Sequence, residues 1–220
     1  MRTRLSPVLI ALLCATVLVS CGDDSTTSAD SSGGGSGTTC DYTEGGGAPA
    51  RQVDPPPAEA TESGDVEVTI STSAGDIGAT LDAAAAPCTV NSFLSLADQG
   101  YYDDTPCHRL TTAGIYVLQC GDPSGSGAGG PGYSFPDELS GDEQYSGGTL
   151  AMANAGPDTN GSQFFMVYKD TQLPPDYTVF GSIDDAGLKV LDAVAKKGTA
   201  TGDPDGAPKE KVQIESVSQN

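Results

Sequence analysis

The sequence has no tryptophan, a single histidine, and 10 Lys+Arg against 30 Asp+Glu, for a formal net charge of -20. Each scarcity removes a class of function. A nucleic-acid surface needs clustered cations to neutralise phosphates, and an electrostatic hold on anionic lipid needs the same. With one imidazole, His108, and no CxxC pair, the chain lacks a zinc donor set, and its scattered Asp residues lack the spacing of a calcium loop. Metal ligation is therefore not expected. The apolar run over residues 8–19 is too short to span a bilayer comfortably. The acid excess reads as solubility through self-repulsion.

What is present begins with a targeting pattern. Arg2 and Arg4 precede the apolar run, which has the shape of a secretory signal. Leu18-Val19-Ser20-Cys21 resembles a bacterial lipobox, in which Cys21 takes lipid and becomes the first mature residue. One acyl chain binds membranes only marginally, so a stable anchor needs several. The expected organisation is a signal peptide over 1–20, then a lipidated Cys21 with a flexible Ser/Gly/Pro-rich tether over 21–64, within which Cys40 can tie residues 40–64 to the domain and order part of them. A folded domain follows over 65–220, held outside the cytoplasm on the cell membrane. Cys14 leaves with the signal. Cys40, Cys88, Cys107 and Cys120 remain in a disulfide-permissive compartment, which suggests two bridges with the pairing open. Strand alternation places Cys107 on the face of Arg109 and Cys120 opposite the face of Gln119, so a 107–120 bridge is the less expected one.

The folded domain reads as mainly β. Val66, Val68 and Ile70 alternate with polar residues, as do Ile77, Ala79 and Leu81. Further strands are expected at 106–111, 115–119, 149–154, 163–168, 178–183 and 212–217. Two helices are expected, over 87–99 with Pro87 in the first turn and Gly100 at the stop, and over 185–197. Eight antiparallel strands fit a closed barrel or a sandwich.

Residues 152–165, MANAGPDTNGSQFF, carry the most information. Strand-like ends enclose turn chemistry, and the amides Asn154 and Gln163 sit beside Phe164 and Phe165. Uncharged donors and acceptors beside an apolar surface suit a peptide backbone with a ring-shaped side chain. The run closely resembles the signature segment of the cyclophilins, the peptidyl-prolyl cis-trans isomerases. Cys107-His108-Arg109-Leu110, followed by residues 116–122, YVLQCGD, resembles the family's arginine strand and the strand after it. Thr178-Val179-Phe180-Gly181 is similar to a third family strand.

The resemblance implies a closed eight-stranded antiparallel barrel capped by two helices, with the site on its outer wall. It implies rotation about X-Pro bonds in peptides and exported client proteins, without a cofactor. Arg109 matches the family's catalytic arginine and Gln119 the glutamine that braces it. Tyr116, Val117, Phe165 and Leu173 match the wall of the proline pocket, with Tyr116 in place of the usual Phe. Ala153, Asn154 and Gln163 match positions that contact the substrate backbone, and Tyr177 falls where the family often has His. Gln172 replaces the tryptophan linked to cyclosporin binding, so weak binding of that drug is expected. The chain is expected to act as a monomer. His108, alternating with Arg109, is expected on the opposite face with a structural role. Two rivals remain at this level: a module that holds proline-containing segments without turnover, and a cell-surface adhesion protein.

Overall fold

The computed structural model describes residues 37–45 and 47–220. The expected signal peptide and Cys21 lie outside the described residues. In chain order the elements are β1 (Thr38–Thr39), β2 (Thr43–Glu44), β3 (Glu59–Ala60), β4 (Asp65–Thr72), β5 (Gly75–Asp82) and α1 (Pro87–Asp98). Then come β6 (Thr105–Pro106), β7 (Arg109–Thr111), β8 (Val117–Cys120), β9 (Tyr133–Ser134), β10 (Thr149–Met152) and β11 (Phe164–Val167). The last are β12 (Val179–Ile183), α2 (Asp185–Lys197), β13 (Asp205–Gly206) and β14 (Gln213–Gln219).

The domain is mainly β with two helices, but the closed eight-stranded barrel is not what forms. A single curled ten-stranded sheet runs β13-β7-β8-β11-β10-β12-β5-β4-β14-β6, as a half-barrel. The difference comes from two places. The run 106–111 breaks at Cys107-His108, so β6 pairs with β14 while β7 pairs with β8. The two-residue strand β13 then adds itself to the outer edge of β7.

The long hairpin β4–β5 is in register over its whole length, from Asp65 opposite Asp82 to Thr72 opposite Gly75. Its inward residues Val66, Val68, Ile70, Ile77, Ala79 and Leu81 are buried, as their period-two spacing dictates. The helices cover this inner face. α1 contributes Val90, Phe93, Leu94 and Leu96, and Phe93 packs edge-on against Phe164 with ring centroids 5.5 Å apart. Glu138 satisfies the free amides at the start of α1, accepting from the backbone N–H groups of Cys88 at 2.9 Å and Thr89 at 2.8 Å. α2 opens on Asp184, whose carboxylate accepts from the Gly187 N–H at 2.6 Å.

Part of the expected tether, residues 37–45 and 47–64, lies against the domain, as a tie through Cys40 would have it. β1 pairs with β3, and β2 pairs with β9. A disulfide joins Cys40 to Cys88 in the first turn of α1. Arg51 donates from Nη1 to the carbonyls of Gly100, Tyr101 and Asp103 at 2.7, 2.9 and 2.6 Å, in the loop after α1. The composition of this strap is poor in apolar residues, yet a covalent bond and one well-placed guanidinium fix it. No helix among the described residues is long and apolar enough to cross a membrane.

Candidate active site

Four strands bring the candidate residues into line. Arg109 on β7 lies opposite Gln119 on β8, Gln119 opposite Phe165 on β11, and Phe165 opposite Ala151 on β10. Alternation turns these side chains to the outer face, while Leu110, Leu118, Phe164 and Met166 enter the inner core. On the outer face Val117, Tyr145, Ala151, Phe165 and Val167 form a second, smaller apolar cluster.

Above that cluster is a hollow of about 180 Å³, lined by Arg109, Ile115, Val117, Gln119, Ala153, Asn154, Phe165, Leu173 and Tyr177. Sites for drug-sized ligands run to roughly 300–1,000 Å³. This one has room for a single small ring. Its aromatic wall is braced from behind. Tyr145 donates from its hydroxyl to the Tyr177 carbonyl at 3.0 Å and accepts from the Tyr177 N–H at 3.1 Å. Burial pushes the Tyr145 phenol up to about 12, so it stays a neutral donor. The Phe165 and Tyr177 rings meet edge to face with centroids 5.6 Å apart.

The polar rim is one connected chain. Arg109 donates from Nη1 to Oε1 of Gln119 at 3.3 Å. Gln119 donates from Nε2 to Oε1 of Gln163 at 2.9 Å. Gln163 donates from Nε2 to the carbonyls of Gly127 and Gly129 at 3.0 and 2.9 Å. Asn154 donates from Nδ2 to the Asp176 carbonyl at 2.8 Å, which leaves it at the hollow's edge. A guanidinium over an apolar hollow can donate to a neutral amide without losing its proton. None of the lining residues is Ser, Thr, Cys or His, so the arrangement offers no activated nucleophile. Among the described residues there is no cluster of three or more groups able to hold a metal.

The model of the cyclophilin type peptidyl-prolyl cis-trans isomerase family matches residues 67–219. The chain belongs to the cyclophilin family. It is 49% identical over 193 residues to a probable peptidyl-prolyl cis-trans isomerase B of Mycobacterium leprae, an alignment covering 81% of this chain and 65% of that one. It is 53% identical over 170 residues to a probable peptidyl-prolyl cis-trans isomerase B of Mycobacterium tuberculosis, covering 71% of this chain and 55% of the relative. The chain thus spans between about half and two thirds of the length of these curated relatives. A cyclophilin type isomerase of Cryptosporidium parvum, solved as a crystal structure, superposes with a TM-score of 0.62 at 32% identity, covering 71% of this chain and 98% of that one.

Within this cyclophilin site, two expected residues sit elsewhere. Tyr116, expected in the pocket wall, is not among the lining residues. Its ring meets Tyr168 with centroids 5.9 Å apart and lies under the Lys169 ammonium, 4.4 Å from the ring centre. Val117 and its neighbour cannot share a face of β8, so Ile115, two residues back, takes the wall position. The alternation of Ile115, Val117 and Gln119 carried that signal. Gln163 lies beside the hollow, in an adjoining groove formed by the Gly127–Gly132 loop, Ala153–Ala155 and the strap residues Gly45 and Ala48. Tyr145 was also missed in the sequence, because its role is exerted through Tyr177.

The disulfide expectation needs correction. Cys107 and Cys120 are bonded to each other, with Cα atoms 4.0 Å apart. Cys107 precedes β7, and the chain bends at the β6–β7 break, so the parity counted back from Arg109 does not reach it. Both cysteines point into the core. His108, packed against Gly127, is outside the hollow. Both of its ring nitrogens are buried without a hydrogen-bond partner, and burial holds its pKa below the usual imidazole value.

Proposed function

We propose that this chain is a peptidyl-prolyl cis-trans isomerase that acts on proline-containing segments of exported proteins. The observation that carries the reading is the Arg109 guanidinium, joined to Gln119, at the mouth of a one-ring apolar hollow floored by Phe165. An X-Pro bond rotates over a barrier of roughly 18–20 kcal/mol set by amide resonance. Lowering it requires localising the lone pair on the prolyl nitrogen. Arg109 donates a hydrogen bond to that nitrogen as it becomes pyramidal. Val117, Phe165, Leu173 and Ile115 hold the ring, and Gln119 keeps the guanidinium in place. Ala153, Asn154, Gln163 and Tyr177 meet the substrate on either side. The contacts act because they are stronger in the twisted state than in either planar one. No covalent intermediate forms.

A protease-coupled assay of the full chain on an Ala-Pro peptide tests this, with Arg109→Ala beside it. The expected loss is about 10²–10³-fold in kcat/KM, the usual cost of a donor to developing charge. Unchanged turnover in the variant removes the mechanism, and tight peptide binding without turnover favours the holding module. Weak cyclosporin binding is part of the proposal, because Gln172 is exposed where the family's tryptophan would sit. Sub-micromolar inhibition contradicts it. Lipidation of Cys21, removal of residues 1–20 and membrane attachment of a monomer complete the reading. Intact-mass analysis of the natively expressed protein checks them.

A further inference from the structure

Arg109 has a second partner that local sequence gives no sign of. Asp205 accepts from Arg109 Nε through Oδ1 at 2.9 Å and from Nη2 through Oδ2 at 2.7 Å, a two-pronged contact along one edge of the guanidinium. That edge faces away from Gln119, which takes Nη1. The two partners together fix the plane and rotation of the group, and they leave one N–H of Nη1 and one of Nη2 unassigned.

Asp205 is itself delivered by a pinned segment. β13 pairs with β7 so that Asp205 lies opposite Thr111 and Gly206 opposite Leu110, placing the Asp205 side chain diagonally from Arg109. The Pro204 carbonyl accepts from the Thr112 N–H at 2.7 Å. Ala200 N–H donates to the Ala207 carbonyl at 2.8 Å, and Thr199 Oγ1 donates to the Asp203 carbonyl at 2.5 Å. The carboxylate thus sits on a fixed backbone, which distinguishes it from a mobile surface acid.

Stability does not account for the pair. The side chains of Arg109 and Asp205 are 38% and 54% exposed. Ion pairs in that setting contribute little to stability. Orientation is where the contact has its effect, because a guanidinium over an apolar hollow has many rotamers and a donor misplaced by about 1 Å can cost about 10²-fold. We infer that Asp205 is a positioning residue for the reaction, holding Arg109 by its Nε–Nη2 edge so that its remaining donors meet the prolyl nitrogen.

This rests on the isomerase reading, and the experiment separates the two. Full-length wild type, Arg109→Ala, Asp205→Ala, Asp205→Asn and Asp205→Glu are assayed for turnover and for thermal unfolding. The Arg109 Nε–H resonance is followed by NMR. The expected result is a roughly tenfold fall in kcat for Asp205→Ala, with KM changed less than threefold. Asp205→Asn falls between it and wild type, and Asp205→Glu recovers part of the loss. The Nε–H signal loses its protection from solvent exchange in Asp205→Ala while the melting temperature stays within a few degrees. Turnover in Asp205→Ala within twofold of wild type, with Arg109→Ala inactive, overturns the positioning role and leaves the isomerase reading standing. A wild type without turnover overturns both. A large drop in melting temperature with kcat unchanged assigns Asp205 to structure alone and also overturns the inference.

Discussion

The hydrogen bond from Gln119 Nε2 to Gln163 Oε1 decides which end of Gln119 meets Arg109. Gln163 has no freedom to flip, because its own amide N–H groups are taken by the carbonyls of Gly127 and Gly129. Its oxygen therefore faces Gln119, the Gln119 amide nitrogen faces Gln163, and the Gln119 oxygen is left for the guanidinium. The loop after β8 thereby sets the polarity of the whole rim.

Gln163→Glu keeps an acceptor toward Gln119 but sets a second oxygen against the carbonyls of Gly127 and Gly129, so both donor contacts that anchor the rim are lost. Expected are about tenfold lower kcat/KM and a loss of about 1–3 kcal/mol in stability. Peptide turnover and urea titration measure the two effects.

The same loop depends on Asp122. Its buried carboxylate accepts from the backbone N–H groups of Ser124, Gly127 and Gly129 and from the hydroxyls of Ser124 and Ser126. Burial alone pushes its pKa up, but these five bonds outweigh it and hold the group at about 2. A carboxyl depressed in the folded state contributes stability that is complete above the unfolded value, near 3.9. That contribution fades as pH falls from there through about 2. Asp122→Asn removes it at neutral pH, with an expected cost of about 1–3 kcal/mol, since an oxygen facing at least two donors becomes an NH2. Melting temperatures of the two proteins are expected to converge as pH falls through about 2, where the Asp122 carboxyl takes up its proton.

Reduction is expected to separate the two disulfides by size of effect. The Cys107–Cys120 loop has a separation of 13 and the Cys40–Cys88 loop one of 48. Chain-entropy arguments give about 3 and about 4 kcal/mol for loops of these lengths. Paired Cys→Ser variants, compared by denaturant unfolding, check the order. The shorter bridge lies next to both Arg109 and Gln119, so its loss is also expected to lower turnover.

Arg51→Ala tests whether the strap is held by more than its sulfur bridge. Three carbonyls after α1 lose their shared donor. The expected cost is about 1–3 kcal/mol, the penalty for groups left partly unpaired. Hydrogen exchange is expected to quicken in residues 49–60 while turnover is retained.

Much of this was readable in the chain beforehand, and the exceptions have physical causes. The β4–β5 hairpin and both helices declare themselves because period-two and period-3.6 patterns are local. The Arg109, Gln119 and Phe165 line was likewise legible, since each lies in a strand whose register follows from its core-facing neighbours. The break at Cys107-His108 was not, because nothing in six residues distinguishes one strand from two that pair with different partners. It misplaced Cys107 and hid the curl of the sheet. Asp205 was invisible for another reason: it meets Arg109 across 96 residues, from a segment whose Pro, Gly and Asp content reads as loop. The strap was legible only as far as a tie through Cys40; its partner Cys88 and the carbonyls that Arg51 meets beyond α1 were not, because they lie elsewhere in the chain.

The bond between Cys40 and Cys88 has a mechanical consequence. Tension applied to the chain ahead of residue 37 enters the domain covalently at the start of α1, bypassing β4. Pulling from that side cannot peel the long hairpin from its β4 end, because residues 41–87 lie within the loop that the bond closes.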